Sequence, residues 1–125
     1  GNPDFKTLDW KELPSLLKAF FEFSEKPIPK KVSATQLVEE AAFLHNEFQR
    51  IHPFIDGNSR TSRAIFTKFL IQRGFPIIKI PVGFFDQYMN LTKLSQKRDD
   101  KKFALLMKLI VLENLKMASR KLEFE

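Results

Sequence analysis

The 125-residue sequence contains no cysteine, so disulfide bonds and thiolate metal sites are excluded. Histidine is almost as rare, with His45 and His52 the two examples. Metal-binding histidines on one helix usually stand four residues apart, whereas these two are separated by seven and no third ligand accompanies them. We therefore expect no paired-histidine metal site, and we interpret His45 as a packed or surface residue.

Long apolar runs are also missing from the sequence. The most apolar stretch, Ala104–Leu112, is interrupted by Lys108 and is too short to span a bilayer. The chain does not open with a signal-peptide pattern, and it contains neither an internal repeat nor a low-complexity segment. We expect a cytoplasmic protein that makes no membrane contact.

The formal net charge of +6 raises the question of a nucleic-acid partner. Two loose clusters carry part of the positive charge: Lys26, Lys30 and Lys31, and then Lys97, Arg98, Lys101 and Lys102. The basic residues are not interleaved with aromatic residues that could stack on bases, and the chain has no Cys/His finger pattern. The clusters therefore indicate solvated surface rather than a nucleic-acid interface, and they leave an acidic protein partner open.

The pattern of apolar residues predicts an all-α fold. With 43% hydrophobic residues and fourteen phenylalanines, the chain can form one domain with an aromatic core. Spacings of three and four predict helices over Pro14–Ser24, Ser33–Ile51, Ser59–Arg73, Phe84–Leu94 and Asp100–Lys121. Ser33 with Gln36 makes a capping box, and Gly74 stands where glycine ends helices. Phe75–Pro81 is rich in β-branched residues and contains two prolines, so we expect it to be extended or a loop.

The segment HPFIDGNSRTSR, residues 52–63, lies between the second and third predicted helices. His52 precedes Pro53, which disfavours helical geometry, so the second helix should end there. The start of the next helix has backbone N–H groups without helical partners and a partial positive charge, and both suit a phosphate. Gly57 permits positive φ and Asn58 tolerates it, which favours a nest of amides that faces an anion.

Charged and titratable side chains in the same segment indicate the chemistry. Arg60 and Arg63 stand three apart on the new helix, so they share a face on which they can bind further phosphate oxygens. Asp56 can bind Mg²⁺ together with the oxygens of a di- or triphosphate. Histidine is the side chain best suited to take a proton from an attacking hydroxyl at neutral pH, so His52 is the candidate base. Together these residues predict a phosphate-transfer site.

This segment resembles the signature HxFx[D/E]GNGRxxR of the Fic family, and Ser59 in place of the second glycine is its single departure. Leu13–Phe23, Ala41–Ile51 and Gly74–Pro76 are similar to further family segments. The resemblance implies a compact Fic/Doc-type (Fido) helical domain with the active-site loop between two central helices. Residues 13–115 would form this core, residues 1–12 a remnant of a flap or linker, and residues 116–125 a C-terminal tail or helix extension.

The resemblance also implies a function, the transfer of AMP from ATP to a Ser, Thr or Tyr hydroxyl of a protein, with Mg²⁺ as cofactor. In that function His52 is the general base, Asp56 holds Mg²⁺, and Phe54 anchors the loop to the core. The phosphates are bound by Gly57, Asn58, Ser59, Arg60 and Arg63. Two alternatives stay open: a Doc-like phosphotransferase that uses a nucleoside triphosphate, and a catalytically impaired Fic fold that serves as a binding or regulatory module. The implied partners are ATP, a hydroxyl-bearing target protein, and a second copy of the chain or an antitoxin-like inhibitor.

Three further residues bear on activity. Serine at position 59 adds a Cβ that penalises positive φ by about 1–2 kcal/mol, so we expect a slower enzyme, although serine also favours helix starts. Ser119–Glu123 has the S-x-x-x-E spacing of an inhibitory helix found in many Fic proteins, which makes Glu123 the candidate inhibitory residue. Thr35–Glu39 fits the same spacing. Tyr88 matches a position near the nucleotide in relatives, but a single aromatic residue on a helix is more often core.

Overall fold

The computed structural model describes residues 10–27, 31–93 and 95–124, without the side chains of residue 10 and residues 122–124. Within these ranges the chain forms helices and no strand, which confirms the all-α prediction. The helices are α1 (Leu13–Ser24), α2 (Ala34–Ile51), α3 (Asn58–Ile71), α4 (Phe85–Thr92) and α5 (Asp100–Phe124). Short 3₁₀ turns at Trp10–Glu12 and Val82–Phe84 precede α1 and α4.

Helix α2 is the centre of the fold and packs against α1, α3 and α5. Its start is the predicted capping box, in which the Gln36 N–H donates to Ser33 Oγ at 3.1 Å and the Ser33 N–H donates to Gln36 Oε1 at 3.0 Å. Its apolar stripe is buried against the neighbouring helices. The buried stripe consists of Val38, Ala41, Ala42, Leu44, His45, Phe48 and Ile51.

Helix α3 ends at the glycine that the sequence predicts. Gly74 has φ 93°, its N–H donates to the Ile71 carbonyl at 3.1 Å, and the Phe75 N–H donates to the Leu70 carbonyl at 3.0 Å. This pair of bonds is a Schellman motif, which satisfies carbonyls that a helix end leaves open. Helix α3 therefore ends two residues earlier than predicted, because Gln72 and Arg73 belong to the terminating turn.

The segment between Phe75 and Pro81 has neither helix nor strand geometry, as predicted. Side chains hold it in place. Asn114 of α5 accepts from the Lys79 N–H at 2.9 Å and donates to the Lys79 carbonyl at 2.8 Å, and Thr67 Oγ1 donates to the Ile78 carbonyl at 3.3 Å. The side-chain amide of Asn114 thus replaces the partner strand that an extended segment normally needs.

The core is rich in aromatic residues, as the composition predicts. The buried rings are Phe20, Phe48, Phe66, Phe69, Phe103 and Tyr88. Helix α4 is shorter than predicted because Lys93 leaves helical geometry, with φ −59° and ψ 134°. Among the described residues, no helix has the length and apolarity that crossing a membrane requires.

Candidate active site

The loop of residues 52–57 connects α2 to α3 through two backbone reversals. Helix α2 ends at Ile51, as the following His-Pro pair predicts, but His52 takes a left-handed conformation with φ 49° and ψ 58°. Gly57, at φ 86°, supplies the second reversal immediately before α3. A left-handed residue with a Cβ is strained by about 1–2 kcal/mol, so the surrounding structure has to hold His52 in place.

Asn58 provides that restraint. Its side chain is almost fully buried, accepts from the Phe54 N–H at 3.0 Å and donates to the Phe54 carbonyl at 2.7 Å. The expectation that Asn58 shares the positive φ of Gly57 is wrong, because Asn58 is the first residue of α3 and His52 takes the other positive φ. The amide side chain closes the loop, so a phosphate role for Asn58 would depend on its backbone N–H.

Asn58 also fixes the orientation of His52. The Asn58 Nδ2 atom lies 3.3 Å from His52 Nε2, and because an amide nitrogen can only donate, Nε2 presents its lone pair to Asn58. That lone pair is the one a general base would use. The 3.3 Å contact is long for a hydrogen bond, so an incoming hydroxyl could displace it at small cost.

Phe54 lies against the core but is not buried in it. Its ring centroid is 6.1 Å from that of the buried Phe48, and half of its side chain stays exposed. The neighbouring Ile55 is fully exposed. The contact that holds Phe54 is therefore made by its backbone, through Asn58, more than by burial of its ring.

Asp56 and Arg60 stand at the open side of the loop. Asp56 Oδ1 accepts from the Gly57 N–H at 2.8 Å, and Oδ2 lies 3.9 Å from Arg60 Nη2. Both side chains are mostly exposed, so this ion pair is weak and a ligand can replace it. One accessible carboxylate fits an Mg²⁺ ion that takes its other oxygens from phosphates and water. In the described part of the chain, no group of three acidic or histidine side chains could bind a metal alone.

The start of α3 faces the same space. Thr61 makes the first intrahelical bond, from its N–H to the Gly57 carbonyl at 3.0 Å, so helix geometry leaves the N–H groups of Asn58, Ser59 and Arg60 without helical acceptors. The adjoining cavity has a volume of about 330 Å³, within the range of small-molecule sites. It is lined by Gln49, His52, Ile55, Asp56, Gly57, Asn58, Ser59, Arg60, Met89, Thr92 and Lys93.

Arg63 lies one turn further along and does not line this cavity. Its Nη1 donates to Ser59 Oγ at 3.1 Å, and its guanidinium carbon lies 5.7 Å from the centre of the Tyr88 ring. Arg63 lines a neighbouring cavity of about 430 Å³ instead, with Phe66 and Ile78. The structure thus brings six of the predicted site residues together, and it links Arg63 to them through Ser59.

Two expectations about Ser59 need correction. Ser59 lies inside α3 and has no positive φ, so the predicted backbone penalty for serine does not apply. Nor does its hydroxyl cap the helix, since it accepts from the Arg63 side chain. The difference from glycine at this position is therefore one of contacts rather than of backbone strain.

Sequence reasoning missed part of the cavity wall. Gln49 precedes His52 by three residues, and Met89, Thr92 and Lys93 share a face of α4 and the residue after it. Helical spacing from the motif could have indicated Gln49, whereas nothing local to α4 connects it to the loop. His45 and Tyr88 are fully buried, as a core interpretation predicts, but their mutual hydrogen bond of 2.7 Å was not foreseen.

Two further predictions lie outside the described residues. The backbone of Glu123 belongs to α5, but its side chain is outside the described part of the chain, so the inhibitory role stays a prediction. Residues 1–9, the larger part of the proposed flap remnant, also lie outside the described part of the chain, so that assignment stays a prediction.

Comparison with known proteins gives a consistent result. The model of the Fic/DOC family matches residues 1–70. The chain is 41% identical over 66 residues to the protein adenylyltransferase Fic of Drosophila grimshawi, and 38% identical over 71 residues to the protein of the same name from Drosophila persimilis. These matches cover 53% and 57% of this chain but 14% of each relative. The chain therefore spans only a small part of the length of the curated relatives it matches.

Proposed function

The chain belongs to the Fic/DOC family, and we therefore propose that it is a protein adenylyltransferase that moves AMP from ATP to a Ser, Thr or Tyr hydroxyl of a target protein. One observation carries the proposal. The lone pair of His52 Nε2 is directed to the start of α3, where Asp56, Gly57 and Arg60 line the same cavity as His52. A proton acceptor and an anion-binding helix start thus share one cavity.

The proposed reaction uses His52 as the general base. Its Nε2 takes the proton from the target hydroxyl, whose oxygen forms a bond to the α-phosphorus of ATP. The bond between the α-phosphorus and the bridging oxygen to the β-phosphate breaks, and pyrophosphate leaves with that electron pair. The products are the AMP ester of the target side chain and pyrophosphate, and the proton on His52 is then released to solvent.

The rest of the loop binds and orients the phosphates. The unpaired N–H groups at the start of α3 and the helix dipole stabilise negative charge on the α-phosphate. Arg60, with a mostly exposed side chain, can replace its weak contact to Asp56 with phosphate oxygens. Positioning and electrostatic stabilisation of this kind supply most of the rate in phosphate transfer.

Asp56 would hold Mg²⁺. When bound, Mg²⁺ neutralises charge on the phosphates. The accessible Oδ2 of Asp56 is the atom available to the ion, since Oδ1 accepts from the Gly57 N–H. That internal bond also orients the carboxylate before any ligand arrives.

Incubation of the protein with cell lysate and ATP labelled at either the α- or the γ-position tests the proposal. AMP transfer places the α-label on protein and leaves the γ-label in pyrophosphate. A Doc-like phosphotransferase gives the reverse result. Labelling that persists in His52→Ala comes from another enzyme in the lysate, and absence of label from both positions contradicts the proposed activity.

A further inference from the structure

A chain of polar side chains runs through the core behind the motif. Tyr88 of α4 and His45 of α2 are both fully buried, and the Tyr88 hydroxyl lies 2.7 Å from His45 Nε2. His45 Nδ1 lies 3.0 Å from Asn46 Oδ1, and Asn46 Nδ2 donates to Asp100 Oδ1 at 2.9 Å. These hydrogen bonds thus connect α4 through α2 to the start of α5, where Arg98 also donates to Asp100 at 2.7 Å.

The Asp100 carboxylate, at the end of this series of polar side chains, fixes the direction of each hydrogen bond in it. An ionised Asp100 only accepts, so Asn46 must direct its amide nitrogen to Asp100 and its oxygen to His45. Nδ1 of His45 then carries the proton, and Nε2 accepts from the Tyr88 hydroxyl. The Tyr88 oxygen then has only its lone pairs left, and these can accept from a donor on its other side.

The electrostatics of the buried groups agree with this direction. Burial lowers the pKa of His45 to about 4, so the imidazole is neutral and can accept from Tyr88. Although burial acts in the opposite sense, hydrogen bonds from Arg98 and Asn46 lower the pKa of Asp100, so it is ionised. Burial raises the pKa of Tyr88, which keeps its hydroxyl proton for His45.

Arg63 lies on the other side of Tyr88, with its guanidinium carbon 5.7 Å from the centre of the ring. Burial has the larger effect on the pKa of the Tyr88 hydroxyl and raises it, whereas the positive charge of Arg63 acts in the opposite sense. Ser59 in turn accepts from Arg63 and lines the cavity of the proposed site. Arg63 is therefore held between a core tyrosine and a residue of the cavity wall.

We propose that Tyr88, His45, Asn46 and Asp100 are positioning residues that hold the Arg63 guanidinium at the edge of the nucleotide cavity. A guanidinium that is ordered beforehand binds phosphate without the entropy cost of ordering a long side chain. The inference deepens the proposed function, since it assigns Arg63 to the phosphates beyond the α-phosphate. The alternative is that these hydrogen bonds only satisfy buried polar groups and have no effect on Arg63.

The test removes a single hydroxyl. Tyr88→Phe keeps the ring beneath Arg63 but deletes the fixed acceptor. In nucleotide-free protein, the NMR order parameter of the Arg63 side chain should be lower in the variant than in the wild type. In calorimetry, the affinity for Mg-ATP should fall about tenfold, the size expected for one hydrogen bond to a charged group, whereas the affinity for AMP should hold. Thr67→Val, which deletes a hydroxyl on α3 that donates to the Ile78 carbonyl, is the control and should leave Arg63 and both affinities unchanged.

Two further variants separate positioning from stability. In an Arg63→Ala background, Tyr88→Phe should no longer change the affinity for Mg-ATP, because the two residues act as one unit. Asp100→Asn removes the fixed direction without deleting a core group, and should give a smaller loss of the same sign. It replaces Tyr88→Phe if that variant does not fold.

Each outcome decides the inference. Unchanged order of Arg63, equal losses for Mg-ATP and AMP, or additive effects in the Arg63→Ala background overturn it. If the wild-type protein binds no nucleotide, the proposed function fails on its own. The comparison of Arg63 order between wild type and Tyr88→Phe then still supports or overturns the positioning role.

Discussion

The loop in front of the cavity and the series of polar side chains behind it differ in exposure and in how closely their side chains are paired. The side chains of Asp56 and Arg60 are 95% and 75% exposed, and they share one contact of 3.9 Å. His45 and Tyr88 are 0% exposed and share a bond of 2.7 Å. Asp56 and Arg60, which are proposed to meet ligands, are thus open and weakly paired, whereas His45 and Tyr88, which are proposed to position Arg63, are buried and hydrogen-bonded. Substitutions on the two sides should therefore fail in different ways.

The largest effect is expected on the loop side. His52→Ala removes the proposed general base and should lower the transfer rate by about 10²–10⁴-fold. The affinity for Mg-ATP and the thermal stability should stay close to wild type, because His52 acts on the hydroxyl of the target and not on the phosphates. Single-turnover transfer of α-labelled ATP, with binding measured by calorimetry, gives both quantities. A variant with near-normal turnover would rule out the assigned mechanism.

The next effect belongs to the buried side and depends on pH. The folded-state pKa of His45, about 4, is below its unfolded value of 6.5, so the unfolded chain binds more protons between these pH values. Stability is therefore fully present above about pH 6.5 and is lost as the pH falls towards 4. Between pH 7 and pH 5 we expect a loss on the order of 2 kcal/mol, measured by urea unfolding.

His45→Gln is the control for this pH dependence, because glutamine does not titrate and its amide oxygen can still accept from Tyr88. Its stability should change little between pH 7 and pH 5. The same slope in both proteins would assign the pH dependence to other groups. Glu47 and Asp100 can be told apart from His45. Burial raises the pKa of each carboxyl, but contacts with arginine lower it further, so the pKa of each lies below its usual value. Their contributions to stability are therefore lost only at more acidic pH.

A smaller effect is expected for the cofactor. Asp56→Ala should weaken ATP binding about tenfold in the presence of Mg²⁺, the size of one charge-assisted contact, and should not change binding in EDTA. Asp86→Ala, which removes an exposed carboxylate from the first turn of α4, is the matched control. Equal affinity of Asp56→Ala and wild type for Mg-ATP would remove Asp56 from the metal role.

The smallest effect should separate the two features of Ser59. Ser59→Ala deletes the acceptor of Arg63 and should weaken Mg-ATP binding by about a factor of three, since a neutral acceptor contributes a modest net stabilisation. Ser59→Gly also removes the Cβ from the cavity wall, so it should bind more tightly than Ser59→Ala, with up to about 1 kcal/mol lower stability. Calorimetry on the two variants makes the comparison, and weaker binding by the glycine variant would contradict it.

Local signals in the sequence predict most of the fold. The capping box at Ser33 and the Schellman glycine at Gly74 fix helix ends because each acts through neighbouring residues. The end of α4 was missed because no local signal marks Lys93. The link from Tyr88 to His45 could not be predicted either, since it joins residues 43 positions apart and depends on how α4 packs on α2.

At the candidate site, the sequence predicts which residues take part but not which of them line the same cavity. Six of the predicted site residues line one cavity, whereas Arg63, which belongs to the same motif, lines a neighbouring cavity. Helical spacing alone puts Arg60 and Arg63 on one face. It cannot show that Arg63 contacts Tyr88 and Ser59 and lines a different cavity from Arg60.

The left-handed backbone of His52 has a consequence for protein engineering. Glycine suits φ 49° better than any residue with a Cβ, which is strained there by about 1–2 kcal/mol. Selection for heat resistance alone would favour glycine at position 52 and would discard the proposed base. A library designed to make this protein more robust should therefore hold His52 constant, because at this position the residue best for folding and the residue required for turnover differ.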